Sequence, residues 1–492
     1  MDRLIPCFLL LCLSVVPAWA RAAMFQDSGV LAAGLADGPV IALDADADGH
    51  TDLFYTMPGG RSGLLLQQPD GSWRAQALPG SGAAPLTAVA ADLDRDGRTD
   101  LVLARAGGLD LLLNHGPSGF EQHRIPLAGA VVTSLAVADI NADGWPDLLF
   151  VTRASPHTSP RVQVWLHDGE LDADGLPQYR ANPEAGIVAC CTTTHLLLED
   201  FDDDTALDVW VYGPGGRTAL YRNNGYGYFE AVGQVPALAD CDVASSGDID
   251  GDGHVDLLLA GQADTCRPTL LGNLGKLKFH AVPASGFGLP ALAGIRAAQW
   301  LDWNHDSHRD LLVQDAGGIR VFIQRPGGGF APALVQPALQ LADARGRLRL
   351  ADLDADGRYE GLSQDRQGRL HLWRQTPVRL PWLGLRLRAY HAGAPAGAAA
   401  VIYRHDGSLV RGRLPAGSRQ FMFDPRILIG IGPLVQIDLI SVNWRSGMVS
   451  RLAPSGLRRY LLAEEPAYVP TARESRKVGV PQQFNVNAGQ CR

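Results

Sequence analysis

Seven acidic nonapeptides of the form D-x-D/N-x-D-G-x-x-D lie between Asp44 and Glu360, and they restrict the chain to folds assembled from one repeated unit. They read DADADGHTD, DLDRDGRTD, DINADGWPD, DFDDDTALD, DIDGDGHVD, DWNHDSHRD and DLDADGRYE, beginning at Asp44, Asp92, Asp139, Asp200, Asp248, Asp302 and Asp352. Successive copies are 48, 47, 61, 48, 54 and 50 residues apart, the length of one small supersecondary unit.

Positions 1, 3, 5 and 9 of each copy supply hard oxygen donors, and glycine at position 6 allows the tight turn that would wrap them round one ion. Acids this close repel one another unless a cation lies among them, so the pattern points to several structural Ca2+ ions. The ligands this assigns are Asp44, Asp46, Asp48 and Asp52; Asp92, Asp94, Asp96 and Asp100; Asp139, Asn141, Asp143 and Asp147; Asp200, Asp202, Asp204 and Asp208. The remaining loops give Asp248, Asp250, Asp252 and Asp256; Asp302, Asn304, Asp306 and Asp310; Asp352, Asp354, Asp356 and Glu360. Position 7 varies freely (His50, Arg98, Trp145, Ala206, His254, His308, Arg358), as a backbone-carbonyl ligand permits. Loops four, six and seven depart from the pattern through Thr205, through Asn304 with Ser307, and through Glu360 followed by Gly361, and are expected to bind weakly or not at all.

An EF-hand needs a bidentate Glu at loop position 12 and helices on both sides. Position 12 is Tyr55, Leu103, Phe150, Val211, Leu259, Val313 and Ser363, and the flanks are short apolar runs such as AVAAD and DLVLA. Such runs read as buried strands, which makes each loop a hairpin tip. A second apolar stretch and a Gly/Asn turn closing on an aromatic follow, as in LLLNHGPSGF (111–120) and LYRNNGYGYF (220–229). About four strands per repeat is the content of a propeller blade. The fold expected is all-β, a seven-bladed β-propeller over residues 24–377 with calcium-binding hairpin loops. FQDSGV (25–30) is placed as the outer strand that closes the last blade, and DGELDADG (168–175) as an insertion in the third repeat.

The loops and the N-x-G-x-G-x-F turns resemble the FG-GAP/VCBS repeats of integrin-α-like propellers. Segments 382–393, 393–407, 427–432 and 435–447 are similar to the ASPIC/UnbV domain that ends the cartilage acidic protein subgroup. The resemblance implies calcium at the matching loop positions and a small β-sandwich-like domain over residues 378–465, with a polar tail at 466–492.

Residues 1–20 have the charged start, apolar core and Ala18-Trp19-Ala20 ending of a secretory signal peptide. The expected location is therefore secreted or periplasmic, and 40 Arg against 3 Lys points to a bacterium. Of the remaining cysteines, Cys241 with Cys266 is the first disulfide choice, Cys190 or Cys191 with Cys241 the second. Residues 378–465 carry 12 Arg and 5 acids, against a net charge of −19 for residues 21–377. The basic face is read as solvated, with docking on the propeller itself or on an anionic glycan as alternatives.

No nucleophile elbow, zincin, haem or P-loop motif is present. The function expected is a non-enzymatic interaction or adhesion protein, monomeric, outside the membrane, with an unknown protein or glycan as partner and no nucleic acid. A glycan-active hydrolase or lyase using Asp240, Asp242 or Glu199 is one alternative, and an assembly or maturation factor is another. His195 is read as packed, and Trp210, Trp300 and Trp303 as fillers between blades.

Overall fold

The computed structural model describes residues 24–466 except 81–82, 128, 154–159, 190–193, 217, 234, 237, 239, 291, 327, 332–333, 338–347, 390–396, 415–425 and 434–435. The expected signal peptide, Cys190, Cys191, Cys491 and nearly all of the tail thus lie outside the described residues. Every described regular element is a strand, apart from three short 3-10 turns.

Seven four-stranded antiparallel sheets follow one another from Phe25 to Gln375. Each carries one acidic nonapeptide between its first and second strands, as in Ile41–Leu43 and Asp52–Thr56. The second strands (DLFYT, DVWVY, DLLLA) are buried at every residue, which is why they read as continuous apolar runs rather than alternating ones. Apolar side chains interleave between neighbouring sheets: Trp210 clusters with Leu257, Trp300 with Leu258, and Trp303 with Trp373. The three tryptophans fill inter-sheet gaps as expected. His195 is buried beside Tyr212, their rings 5.4 Å apart.

The ring closes on itself. Phe25–Ala32 pairs antiparallel with Leu370–Gln375, matching Phe25 to Gln375, so the first described strand completes the last sheet of the ring. Leu353 and Leu362 of that sheet then share a cluster with Ala42 and Leu53 of the first. Each buried leucine contributes about 1.5–3 kcal/mol, so these seams hold the ring without helices. In the third sheet the expected insertion lengthens a hairpin: Arg161–Leu171 runs for 11 residues and returns through Pro177–Ala181. Cys241 and Cys266 form a disulfide, which removes the alternative pairing of Cys241.

Two further sheets follow. Trp382–Arg388 sits between Arg426–Gly430, antiparallel, and Tyr460–Glu464, parallel. The second has the order Leu409–Arg413, Ala399–Arg404, Ile437–Asn443, Val449–Leu452. Leu385, Ile402, Ile429 and Ile440 pack between them, giving a small β-sandwich.

Candidate metal centres

Each nonapeptide closes through hydrogen bonds to its own carboxylates. In the second loop, Asp92 Oδ1 accepts from the amide of Asp96 at 3.1 Å and Oδ2 from that of Gly97 at 3.0 Å. Asp96 Oδ1 accepts from the amide of Arg98 at 2.8 Å. The bond from position 6 to position 1 recurs in the other loops from Gly49, Gly144, Thr205, Gly253, Ser307 and Gly357. These bonds turn the acids of positions 1, 3 and 5 inward. Oxygens of Asp44, Asp46 and Asp48, of Asp92, Asp94 and Asp96, and of Asp352, Asp354 and Asp356 come within 4.8 Å of one another. The same separation holds for Asp200, Asp202 and Asp208 and for Asp248, Asp250 and Asp256. In loops three and six an amide replaces the middle acid: Asn141 donates to Asp143 at 2.8 Å and Asn304 to Asp306 at 2.9 Å.

Position 9 does more than the sequence reading gave it. Asp100 accepts from the amides of Leu93 and Asn114, both at 2.7 Å, bracing the loop against the third strand. Asp52, Asp147, Asp208, Asp256 and Asp310 make the same pair of bonds. Among the described residues, all seven position-9 acids are at most 2% exposed. Glu360, one methylene longer, keeps the bond to Leu353 at 2.8 Å, while its Oε1 is buried with no hydrogen-bond partner.

Burial raises the proton affinity of these acids, and neighbouring carboxylates add to it. Asp92, Asp256 and Asp302 are pushed up to about 7, and Asp147 and Asp208 to about 8. Asp139 and Asp200 rise only to about 6, because Arg445 and Arg413 stand beside them. The donor set fits a hard cation: inward carboxylates and amide carbonyls only, with Asp44 Oδ1 and Asp202 Oδ1 buried and unpartnered.

The backbone needs two left-handed residues per loop. Position 6 has φ of 84–101° at its five glycines, but 75° at Thr205 and 74° at Ser307, so those two loops are strained where the pattern lapses. Position 4 is also left-handed, at Ala47, Arg95, Ala142, Asp203, His305 and Ala355 as well as Gly251. No residue preference in the sequence announced it.

Some loops have cations of their own. Arg222, in the third strand of its sheet, reaches Asp202 at 2.6 Å and Asp204 at 2.7 Å. Arg374, at the corresponding place next to the last residue of its strand in the last sheet, approaches Asp354 at 3.7 Å. At or just past the end of the third strand, a side-chain amide also ties several sheets to the preceding loop. Asn114 donates to Ala45 O, Asn273 to Phe201 O, Gln324 to Ile249 O and Gln375 to Trp303 O, at 2.6–2.8 Å.

The basic face of the C-terminal sandwich is not solvated, as the sequence reading had it. It lies on the acidic loops and addresses their backbone. Arg445 bridges Asp139 O at 2.9 Å and Thr205 O at 3.2 Å, Arg413 reaches Asp200 O at 3.2 Å, and Arg411 reaches Gly251 O at 3.3 Å. Arg386 donates to Gly49 O and Arg426 to Asp352 O. The Tyr460 hydroxyl donates to Asp352 Oδ2 at 2.7 Å, and the Trp382 ring covers Gly357 so closely that no side chain would fit there. A charge count cannot show this, because most of the acceptors are carbonyls.

Residues 44–103, 92–150 and 200–259 match the FG-GAP-like repeat model. No curated protein matches the chain. Among solved structures, the chain is similar to BBS1N in complex with ARL6DN, at 13% identity over 73% of this chain and 98% of that one, with a TM-score of 0.49. It is also similar to an Agrocybe aegerita protein recognising non-reducing terminal N-acetylglucosamine (16% identity, 61% and 81% coverage, TM-score 0.43). The rhamnogalacturonan lyase YesW is a third (12% identity, 73% and 76% coverage, TM-score 0.43). Repeats and sheet topology together make this chain a β-propeller with FG-GAP-like repeats.

Proposed function

We propose that this chain is an exported, calcium-stabilised seven-bladed propeller that works by binding a protein or glycan partner rather than by turning one over. The observation that carries the reading is the recurrence of one inward-facing carboxylate cage at the same place in sheet after sheet. A catalytic site is made once; a cage repeated round a ring serves the ring. The ions would be held by the acids and asparagines of positions 1, 3 and 5, joined by the position-9 acids Asp208 and Asp256 in loops four and five, while position 9 also braces the loop; their chemistry would be charge neutralisation.

Carboxylates outside the cages are engaged in structural bonds, which supports the same view. Asp240 accepts from the amide of Gly215 at 2.8 Å, and Glu199 is buried and accepts from the Ser246 hydroxyl at 2.8 Å. The disulfide Cys241–Cys266 suits an oxidising compartment, in line with residues 1–20 acting as a leader. No described helix is long and apolar enough to cross a membrane. The resemblance of the C-terminal sandwich to the ASPIC/UnbV domain belongs to this proposal as well. With the loop face covered by that sandwich, the partner is assigned to the opposite face of the ring or its rim.

The test is metal content per chain after purification in calcium, followed by a glycan array and a pull-down with calcium present. Stoichiometric calcium with a saturable partner supports the proposal. Turnover of a glycan that disappears in Glu199→Gln or Asp240→Asn would replace it with the enzymatic alternative.

A further inference from the structure

We propose that calcium in the loops governs whether the C-terminal sandwich stays seated on the propeller, which makes the sandwich a calcium-held cap; this rests on the calcium reading above. The guanidinium groups that seat it donate to backbone carbonyls of the loops. In loops that keep the pattern, Arg386 takes the carbonyl of Gly49, Arg445 that of Asp139 at 2.9 Å and Arg411 that of Gly251 at 3.3 Å. The amides of Gly49 and Gly251 donate to the position-1 carboxylates of Asp44 and Asp248, and Asp139 is itself position 1. Backbone tied inward to a cage carboxylate thus presents its carbonyl outward, and a change that moves one moves the other.

Removing the ions leaves three carboxylates within 4.8 Å of one another in the first and fifth loops. Their repulsion opens the turn and misdirects the carbonyls, and an arginine fork tolerates little misdirection. Charge alone gives the opposite sign. The sandwich is basic and the stripped propeller more acidic, so long-range attraction would hold the cap more tightly without calcium. Direction of the effect thus separates a cap that reads backbone geometry from one held by charge.

The full-length chain carries its own reporter. The amide of Gly432 donates to His305 O across the seam at 2.9 Å, whereas the amide of Trp444 donates to Met448 O at 2.9 Å within the sandwich. Leu257 lies in the fully buried strand of the fifth sheet. Hydrogen exchange at the three amides is measured in calcium and after limited chelation, with bound metal counted in parallel. The expected result is exchange at Gly432 faster by about tenfold or more on metal loss, while Trp444 and Leu257 hold their protection. Arg445→Ala and Arg411→Ala should each speed exchange at Gly432 with calcium still bound, and exposed Arg451→Ala should not. Bound calcium whose removal leaves Gly432 unchanged or slower overturns the cap and spares the calcium reading. A chain that binds no calcium overturns both. Acceleration at all three amides together shows general unfolding, and also overturns the cap.

Discussion

The side-chain amide of Asn223 donates to the carbonyl oxygen of Ile140 at 2.8 Å across 83 residues of sequence. Ile140 is position 2 of the third loop, and Asn223 ends the third strand of the fourth sheet, so this bond ties one loop to the next sheet. Asn223 is fully buried and also donates to Leu207 O at 3.2 Å. Asn223→Ala leaves two buried carbonyls without a donor and is expected to destabilise the fold by about 1–3 kcal/mol, measured by thermal or urea unfolding. Asn224→Ala, in the adjoining exposed turn, should cost well under half as much.

Chelation should lower the melting temperature by about ten degrees or more. A site with a dissociation constant of roughly 0.1 mM, at about 1 mM calcium, contributes about 1.4 kcal/mol, and four such sites about 6 kcal/mol. Calorimetry in excess chelator tests this. An unshifted transition would remove calcium from the account of stability.

Loops four and seven should be the weakest calcium sites, because Arg222 and Arg374 already bring positive charge to their position-3 acids. Titration of the wild-type chain is expected to saturate below seven ions. Arg222→Leu should strengthen one site by about tenfold, as removal of one nearby like charge does in a partly buried setting. Unchanged stoichiometry and affinity in that variant would refute the assignment.

Thr205→Gly and Ser307→Gly should each stabilise the chain by about 1 kcal/mol. Both residues sit at φ near 75°, where a side chain is strained and glycine is not. Unfolding midpoints with calcium present report the gain, and a loss in both variants would mean that their side chains matter more than the strain.

The metal-free protein should be more stable at pH 5.5 than at pH 8. Burial, reinforced by like charges, places Asp92, Asp256 and Asp302 at about 7 and Asp147 and Asp208 at about 8. Unfolded aspartates titrate near 3.9. A folded value above the unfolded one means that the folded state binds more protons, so the stabilisation is complete below about pH 4 and drains away as pH rises through 7–8. Calcium competes with those protons, so the loaded protein should lose this dependence or reverse it. Melts at both pH values, with and without chelator, provide the comparison.

Much of the architecture was legible because burial writes itself into composition. The strands DLFYT and DVWVY are apolar on both faces because sheets cover both. Phe25 announced itself as a closing strand by lacking a loop before it, and Cys241 with Cys266 share one sheet's surroundings. Three features were not legible. The left-handed turn at Ala47 or Arg95 has no residue signature, because the cage imposes it on whatever stands there. The clamp made by Asn114 or Asn223 depends on which sheet is adjacent, which spacing alone does not specify. The arginines at 386, 413, 426 and 445 looked like a solvated face because charge counts carry no information about carbonyl acceptors.

The pairing of Phe25–Ala32 with Leu370–Gln375 sets an order on how the molecule comes into being. The first described strand has its hydrogen-bonding neighbour in the last sheet of the ring, so for about 20–70 s of translation at ordinary speed it has nothing to pair with. During that interval six sheets can assemble as an open arc with one raw edge at either end. Joining those edges completes the ring, and anything that detains either edge strand at that moment leaves two sticky borders facing other copies of the same arc.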